Sequence, residues 1–186
     1  MKQEKKRSII YIAVFIGLIM ALSVIGFLWG GSGEGSKKYG KFTFSYSNGQ
    51  WTTGIGGKTL TLRNFPEELQ NITVPEDAKI IVSSARMIYI TYEKETNAEE
   101  MALAQYSLGM NLETNTRFVV NALAYENEEN VIVVTCKNAT EAVPVILMKK
   151  SDFNNSVTLN NGCIVLEGVP SVLADRLVYA AYDIIK

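Results

Sequence analysis

The residues best suited to covalent chemistry in this 186-residue chain are its two cysteines, Cys136 and Cys163. Cys136 closes an apolar run and is followed at once by Asn138-Ala139-Thr140, a glycosylation-type triplet, in the stretch VIVVTCKNAT. Two chemistries compete for it: a nucleophile at a strand end, or half of a structural disulfide. A nucleophilic thiol needs a neighbour that raises its thiolate fraction, most often histidine, and the chain has no histidine at all. Lys137 is adjacent, but neighbours along a strand point to opposite faces. The disulfide is therefore the expectation, with two buried free thiols as the plainer alternative, because unbridged cysteine is among the most buried residue types.

The missing histidine reaches further. It rules out triads of the Ser-His-Asp and Cys-His kinds and removes the commonest nitrogen ligand of zinc. No calcium loop of the D-x-[DN]-x-[DN]-G form is present. We expect no catalytic residue, no metal site and no cofactor. The alternative is a histidine-free enzyme of the cell envelope working through carboxylates, for which residues such as Glu141 or Glu167, at strand ends, would have to converge in one pocket. Three asparagines, Asn71, Asn138 and Asn154, head Asn-x-Ser/Thr triplets. A chain this rich in asparagine, serine and threonine would show roughly two by chance, and asparagine also suits turns, so location decides whether they are used.

Location is read at the front of the chain. Residues 1–7, MKQEKKR, form a basic head carrying Lys2, Lys5, Lys6 and Arg7. Residues 8–30, SIIYIAVFIGLIMALSVIGFLWG, contain no charge, and a helix rising about 1.5 Å per residue needs roughly 20 residues to cross the hydrocarbon core. The run exceeds the apolar region of a secretory signal and lacks a small-residue cleavage site, so it reads as an uncleaved anchor with Trp29 at the interface. The cations before it place the N-terminus in the cytoplasm and the remainder outside. Residues 31–38, rich in glycine and serine, read as a tether, and residues 39–186 as one extracytoplasmic domain.

That domain is large enough for a real core. Of the 18 basic and 19 acidic residues in the chain, setting aside the four cations and one acid of the head leaves a net charge of about −4. No basic stripe with interleaved aromatics appears. A nucleic-acid partner is not expected.

Hydrophobic periodicity gives the elements. Phe42, Phe44 and Tyr46 alternate with polar residues as in a half-buried strand. Asn48-Gly49 is a strong hairpin signal because a type I′ turn needs positive φ at both central residues, and Gly56-Gly57 turns again, so residues 39–64 read as a three-stranded meander. Short β-type runs follow at Lys79–Val82 and Met87–Tyr92. Thr96 and Glu99 form a capping-box pattern ahead of a helix that buries Met101, Ala104, Leu108 and Leu112. TRFVVNALAYE and VIVVTC read as strands around an acidic turn, Ala139–Val143 as one helical turn, and PVILMKK as a further strand. A hairpin at Asn161-Gly162 leads into the strand that Cys163 opens. A final helix starts at Pro170, with Leu173, Leu177, Ala180, Ala181 and Ile184 inward and Asp175, Arg176 and Asp183 on its wetter side.

Runs of strands with two main helices packed on them describe an α+β domain of antiparallel or mixed sheet. Cys136 at one strand end and Cys163 at the start of an antiparallel neighbour would fall within the 4.4 to 6.8 Å Cα separation a disulfide needs. The C-terminal half, through VTCKNATEAVPVILMKK, NNGCIVLEGVP and SVLADRLVYAAYDII, resembles uncharacterised single-pass membrane proteins of archaea. That resemblance implies a surface location and no assigned activity. The function expected is an anchored structural, binding or scaffolding component at the cell surface, engaging a protein partner through an exposed apolar or sheet-edge patch.

Overall fold

A computed structural model describes residues 15–20, 35–94, 98–126 and 131–185. The chain divides into two units, Met1–Gly35 and Ser36–Lys186. In the first, residues 15–20 are helical and exposed. No helix among the described residues is long and apolar enough to cross a membrane. The head at 1–7 and the rest of the expected anchor at 8–30 lie outside the described residues.

The second unit is α+β, with two sheets and three α-helices. Strands β1 (Gly35–Tyr39), β2 (Phe42–Ser47), β3 (Gln50–Ile55) and β4 (Lys58–Leu62) form a four-stranded sheet in that order. The glycine turns behave as their residues dictate. Asn48 and Gly49 take φ of 52° and 77°, and Gly56 and Gly57 take 57° and 82°, so β2, β3 and β4 pair antiparallel. Strand β1 is a correction to the tether, since it uses residues 35–38. Four of its five residues are exposed, because an edge strand is held by backbone bonds and needs few apolar side chains.

Helix α1 (Glu76–Ser84) replaces the strand expected at 79–82. Pro75 and the first-turn acids Glu76 and Asp77 suit a helix start. Ala78 and Val82 are the buried pair, four residues apart. Strand β5 (Met87–Tyr92), helix α2 (Ala98–Leu112) and strand β6 (Phe118–Asn121) make a parallel crossover. Strands β7 (Val145–Lys150), β8 (Ser156–Asn160) and β9 (Cys163–Gly168) complete a second sheet of order β6-β5-β7-β9-β8. Only the β8–β9 pairing is antiparallel. Helix α3 (Pro170–Ala181) ends the fold.

Helices α2 and α3 lie between the two sheets, and α1 packs on α3 and β8. On one side Asn111 of α2 bonds both backbone groups of Thr61 in β4, at 2.9 and 2.8 Å. Tyr179 of α3 donates to Asn64 O at 2.6 Å and packs edge-on against Phe44. On the other side Gln105 of α2 donates to Ile90 O and Ala122 O. One continuous core therefore joins Phe44, Leu60 and Leu62 of the first sheet to Ile90, Ile146 and Ile164 of the second through the helices. Helix α2 keeps an exposed face through Leu103, Tyr106 and Met110, but α3 has no wet face along its middle. Asp175 and Arg176, expected on the wetter side of α3, are each 2% exposed. Asp183 is exposed and pairs with Lys79 at 2.7 Å.

Arginine and lysine close helix ends here in place of glycine. The Arg117 guanidinium donates to Ser83 O, Ala85 O and Leu112 O, so one cation serves the C-terminal ends of α1 and α2, where dipole and unpaired carbonyls favour it. Lys58 Nζ reaches Met110 O at 2.8 Å and also Glu113 O.

Candidate functional site

Along each strand of the second sheet, alternate residues face opposite ways. Ile88, Ile90, Ile146, Met148, Ile164 and Leu166 face the helices. Tyr89, Val145, Leu147, Cys163 and Val165 face the other way, where no helix lies among the described residues and the cover is a loop. Within that cover, residues 123–126 and 131–143, Val134, Cys136 and Ala139 lie against the face.

The cysteines fasten this cover. Among the described residues, the stretch expected as the strand VIVVTC makes one isolated parallel bridge, Leu123 to Val133. It then turns through a short 3₁₀ segment, Cys136–Asn138. Thr135 and Asn138 hold the turn: Asn138 Oδ1 accepts from Thr135 N at 2.9 Å, and Thr135 Oγ1 accepts from Lys137 N at 3.3 Å. The expected helical turn at 139–143 is irregular instead. Cys136 and Cys163 stand at disulfide-bonding distance, with Cα atoms 5.2 Å apart. The two are not neighbours along adjacent strands, because β7 occupies the place beside β9, pairing Val145 with Cys163. The contact instead pins a loop over a sheet face.

Gly162 secures the same cover from the hairpin tip. Its φ is +79°, and a Cβ there would stand 2.5 Å from Thr140 C and 2.6 Å from Thr140 O. Only glycine allows both the left-handed backbone and that approach.

The cover is incomplete toward β6, the edge strand. Phe118 is 68% exposed and Ile132 56% exposed, with Val131 and Val133 also exposed. Leu123 N donates to Ile132 O and Val134 N to Leu123 O, so the N–H and C=O of Val133 point away from Leu123. Among the described residues, exposed apolar side chains therefore stand at both ends of this edge, with the N–H and C=O of Val133 turned outward.

The carboxylates named from the sequence do not meet. Glu141 lies against Gly162, at one end of β9, and Glu167 lies near the other, about 16 Å along at 3.3 Å per residue. Both are exposed. A different set converges: Glu99 and Glu100 of α2, Asp175 of α3, and Arg63 line a cavity of about 200 Å³ with Ser107 and Ser171. Glu100 also pairs with Lys150 at 2.8 Å. Asp175 Oδ2 accepts Arg63 N at 2.8 Å, Asn64 N at 2.9 Å and Asn64 Nδ2 at 2.8 Å. Burial raises its pKa above the ordinary carboxylate range, against the opposing pull of those bonds and of the Arg63 charge. The spacing of 99, 103 and 107 on one helix and 171, 174 and 175 on the other was a readable signal for facing helical surfaces.

The triplet asparagines are all exposed. Asn71 and Asn154 border one shallow depression with Phe153, while Asn138 is the 3₁₀ residue described above. No group of acids and cysteines among the described residues could hold a metal ion. No protein-family model, curated protein or solved structure matches the chain.

Proposed function

We propose that this chain is a membrane-anchored binding or scaffolding component of the cell surface, its domain outside the cytoplasm and engaging a protein partner. Residues 8–30 are the anchor, the basic head lies in the cytoplasm, and Cys136–Cys163 is oxidised in the working protein. The observation that carries the reading is the uncovered apolar rim of the second sheet, Phe118 with Val131–Val133. Edge strands of this composition are a liability unless something pairs with them. The outward N–H and C=O of Val133 recognise an extended segment, the mode of strand addition. A disulfide over the adjoining face fits an oxidising compartment.

The test is a photo-crosslinking residue placed at Ile132 in the full chain in native membranes, with one at Lys41 as the control. A defined protein adduct at Ile132 alone, abolished by Phe118→Glu, is expected. Equal labelling at both positions would sink the reading.

A further inference from the structure

Two of the three Asn-x-Ser/Thr triplets differ in kind from the third. Asn71, between the 3₁₀ turn Pro66–Leu69 and α1, and Asn154, between β7 and β8, come from distant parts of the chain and border one depression. In each triplet the middle residue is tied to the body of the domain: Ile72 O accepts from Arg176 Nε at 2.7 Å, and Asn155 Oδ1 accepts from Val169 N at 2.8 Å. The outer two side chains are left to solvent. None of Asn71, Thr73, Asn154 and Ser156 spends a side-chain hydrogen bond among the described residues. In Asn138-Ala139-Thr140 the opposite holds. Asn138 Oδ1 accepts from Thr135 N at 2.9 Å and from Thr135 Oγ1 at 3.3 Å, and Thr140 Oγ1 accepts from Val143 N at 3.0 Å. The Cys136–Cys163 contact fastens the same turn. A motif read through its asparagine and its hydroxyl is therefore accessible twice and occupied once. Phe153, beside Asn154, is 99% exposed, a ring that no described residue covers.

We propose that Asn71 and Asn154 carry N-linked oligosaccharide and that Asn138 does not. The assignment rests on the reading that this domain lies outside the cytoplasm. The donor is an oligosaccharide esterified to a lipid phosphate, and the catalyst is a separate membrane transferase. The asparagine Nδ2 attacks the anomeric carbon, and the new C–N bond forms as the C–O bond to phosphate breaks. The lipid phosphate leaves with the bonding electron pair, and Nδ2 gives up one proton. The consequence falls on the sheet edges. The second sheet has two, β6 and β8, and a bare edge invites pairing. Asn154 stands just before β8, so a bulky, solubilising glycan there screens that edge and the Phe153 ring while β6 stays open to a partner. Sugar on Asn138 would stand instead in the loop that carries Ile132, beside the open edge.

The test is peptide mapping by mass spectrometry of the full-length protein from its native membrane, alongside intact masses of Asn71→Gln, Asn154→Gln and Asn138→Gln. Sugar mass is expected on the peptides that hold Asn71 and Asn154 and none on the peptide that holds Asn138. The intact mass should fall by one glycan in each of the first two variants and change only by the substitution in the third. The wild-type map decides the matter should a variant fail to fold. An unmodified Asn71 or Asn154, or sugar on Asn138, would overturn the proposal. The state of Cys136 and Cys163 in the same sample separates this failure from that of the compartment. Bare asparagines with an oxidised cysteine pair overturn the glycan assignment alone, and bare asparagines with free thiols overturn both.

Discussion

Gly162 and Gly49 take nearly the same backbone conformation, φ +79° and +77°, but only Gly162 has another segment pressed against it. Gly49→Ala meets strain alone, about 1 kcal/mol or a little more for an L-residue held left-handed. Gly162→Ala must in addition displace Thr140, so its loss in urea unfolding is expected to exceed that of Gly49→Ala by at least about 1 kcal/mol. Equal losses would mean that the 140–143 segment does not rest on the hairpin. Asp175 gives a pH signature. Because its pKa is raised on folding by burial, the folded state holds the proton more tightly than the unfolded chain. Its contribution to stability is full below the ordinary aspartate value of about 3.9 and is lost as pH rises through the raised value. Asparagine does not titrate there. The stability of wild type relative to Asp175→Asn should therefore fall as pH rises from about 4, and a flat difference across that range would place the carboxylate in water.

The disulfide belongs to the scale of elements, since it holds a loop rather than a strand pair. Cys136 and Cys163 are 27 residues apart, and opening a loop of that length costs about 3 to 4 kcal/mol in the chain-entropy model. With both replaced by serine, amide exchange should accelerate first across 131–143 and later, if at all, in β5, β7 and β9. Uniform acceleration would show that the cover and the sheet open together. The elements were unevenly legible. The meander, the two long helices and the Asn161-Gly162 hairpin carry local signals, namely positive-φ turns and period-3.6 stripes, and the structure has them where those signals fall. The parallel pairing was also readable, in the nearly unbroken apolar runs of β5, β7 and β9, which mark strands buried on both faces. Lys79–Val82 misled because four residues cannot separate a strand from a helix turn. VIVV misled because its β-branched run supplies propensity without a second neighbour to pair with.

At the scale of the whole molecule, the layers explain what sequence patterning could not. An amphipathic reading gives a helix one wet side, so Asp175 and Arg176 were assigned to it. The two sheets around α3 remove that side, and the charges are met by backbone groups instead, Asp175 by Arg63 and Asn64, and Arg176 by Ile72 O at 2.7 Å. Their partners are 104 to 112 residues away in the chain, and no local pattern announces them. Glu99, Glu100 and Asp175 became neighbours by the same packing. Compartment, orientation and thiol state then stand or fall together, because a pinned loop of this kind persists where thiols are not kept reduced. The most direct measurement is therefore thiol labelling of the full-length protein from its native membrane, before and after reduction, read by intact mass. The account predicts that neither cysteine labels until reduction, that both label afterwards, and that the unreduced chain is two hydrogens lighter than the reduced one. Rapid labelling of Cys136 in the unreduced protein would contradict it, and with it the placement of this domain outside the cytoplasm.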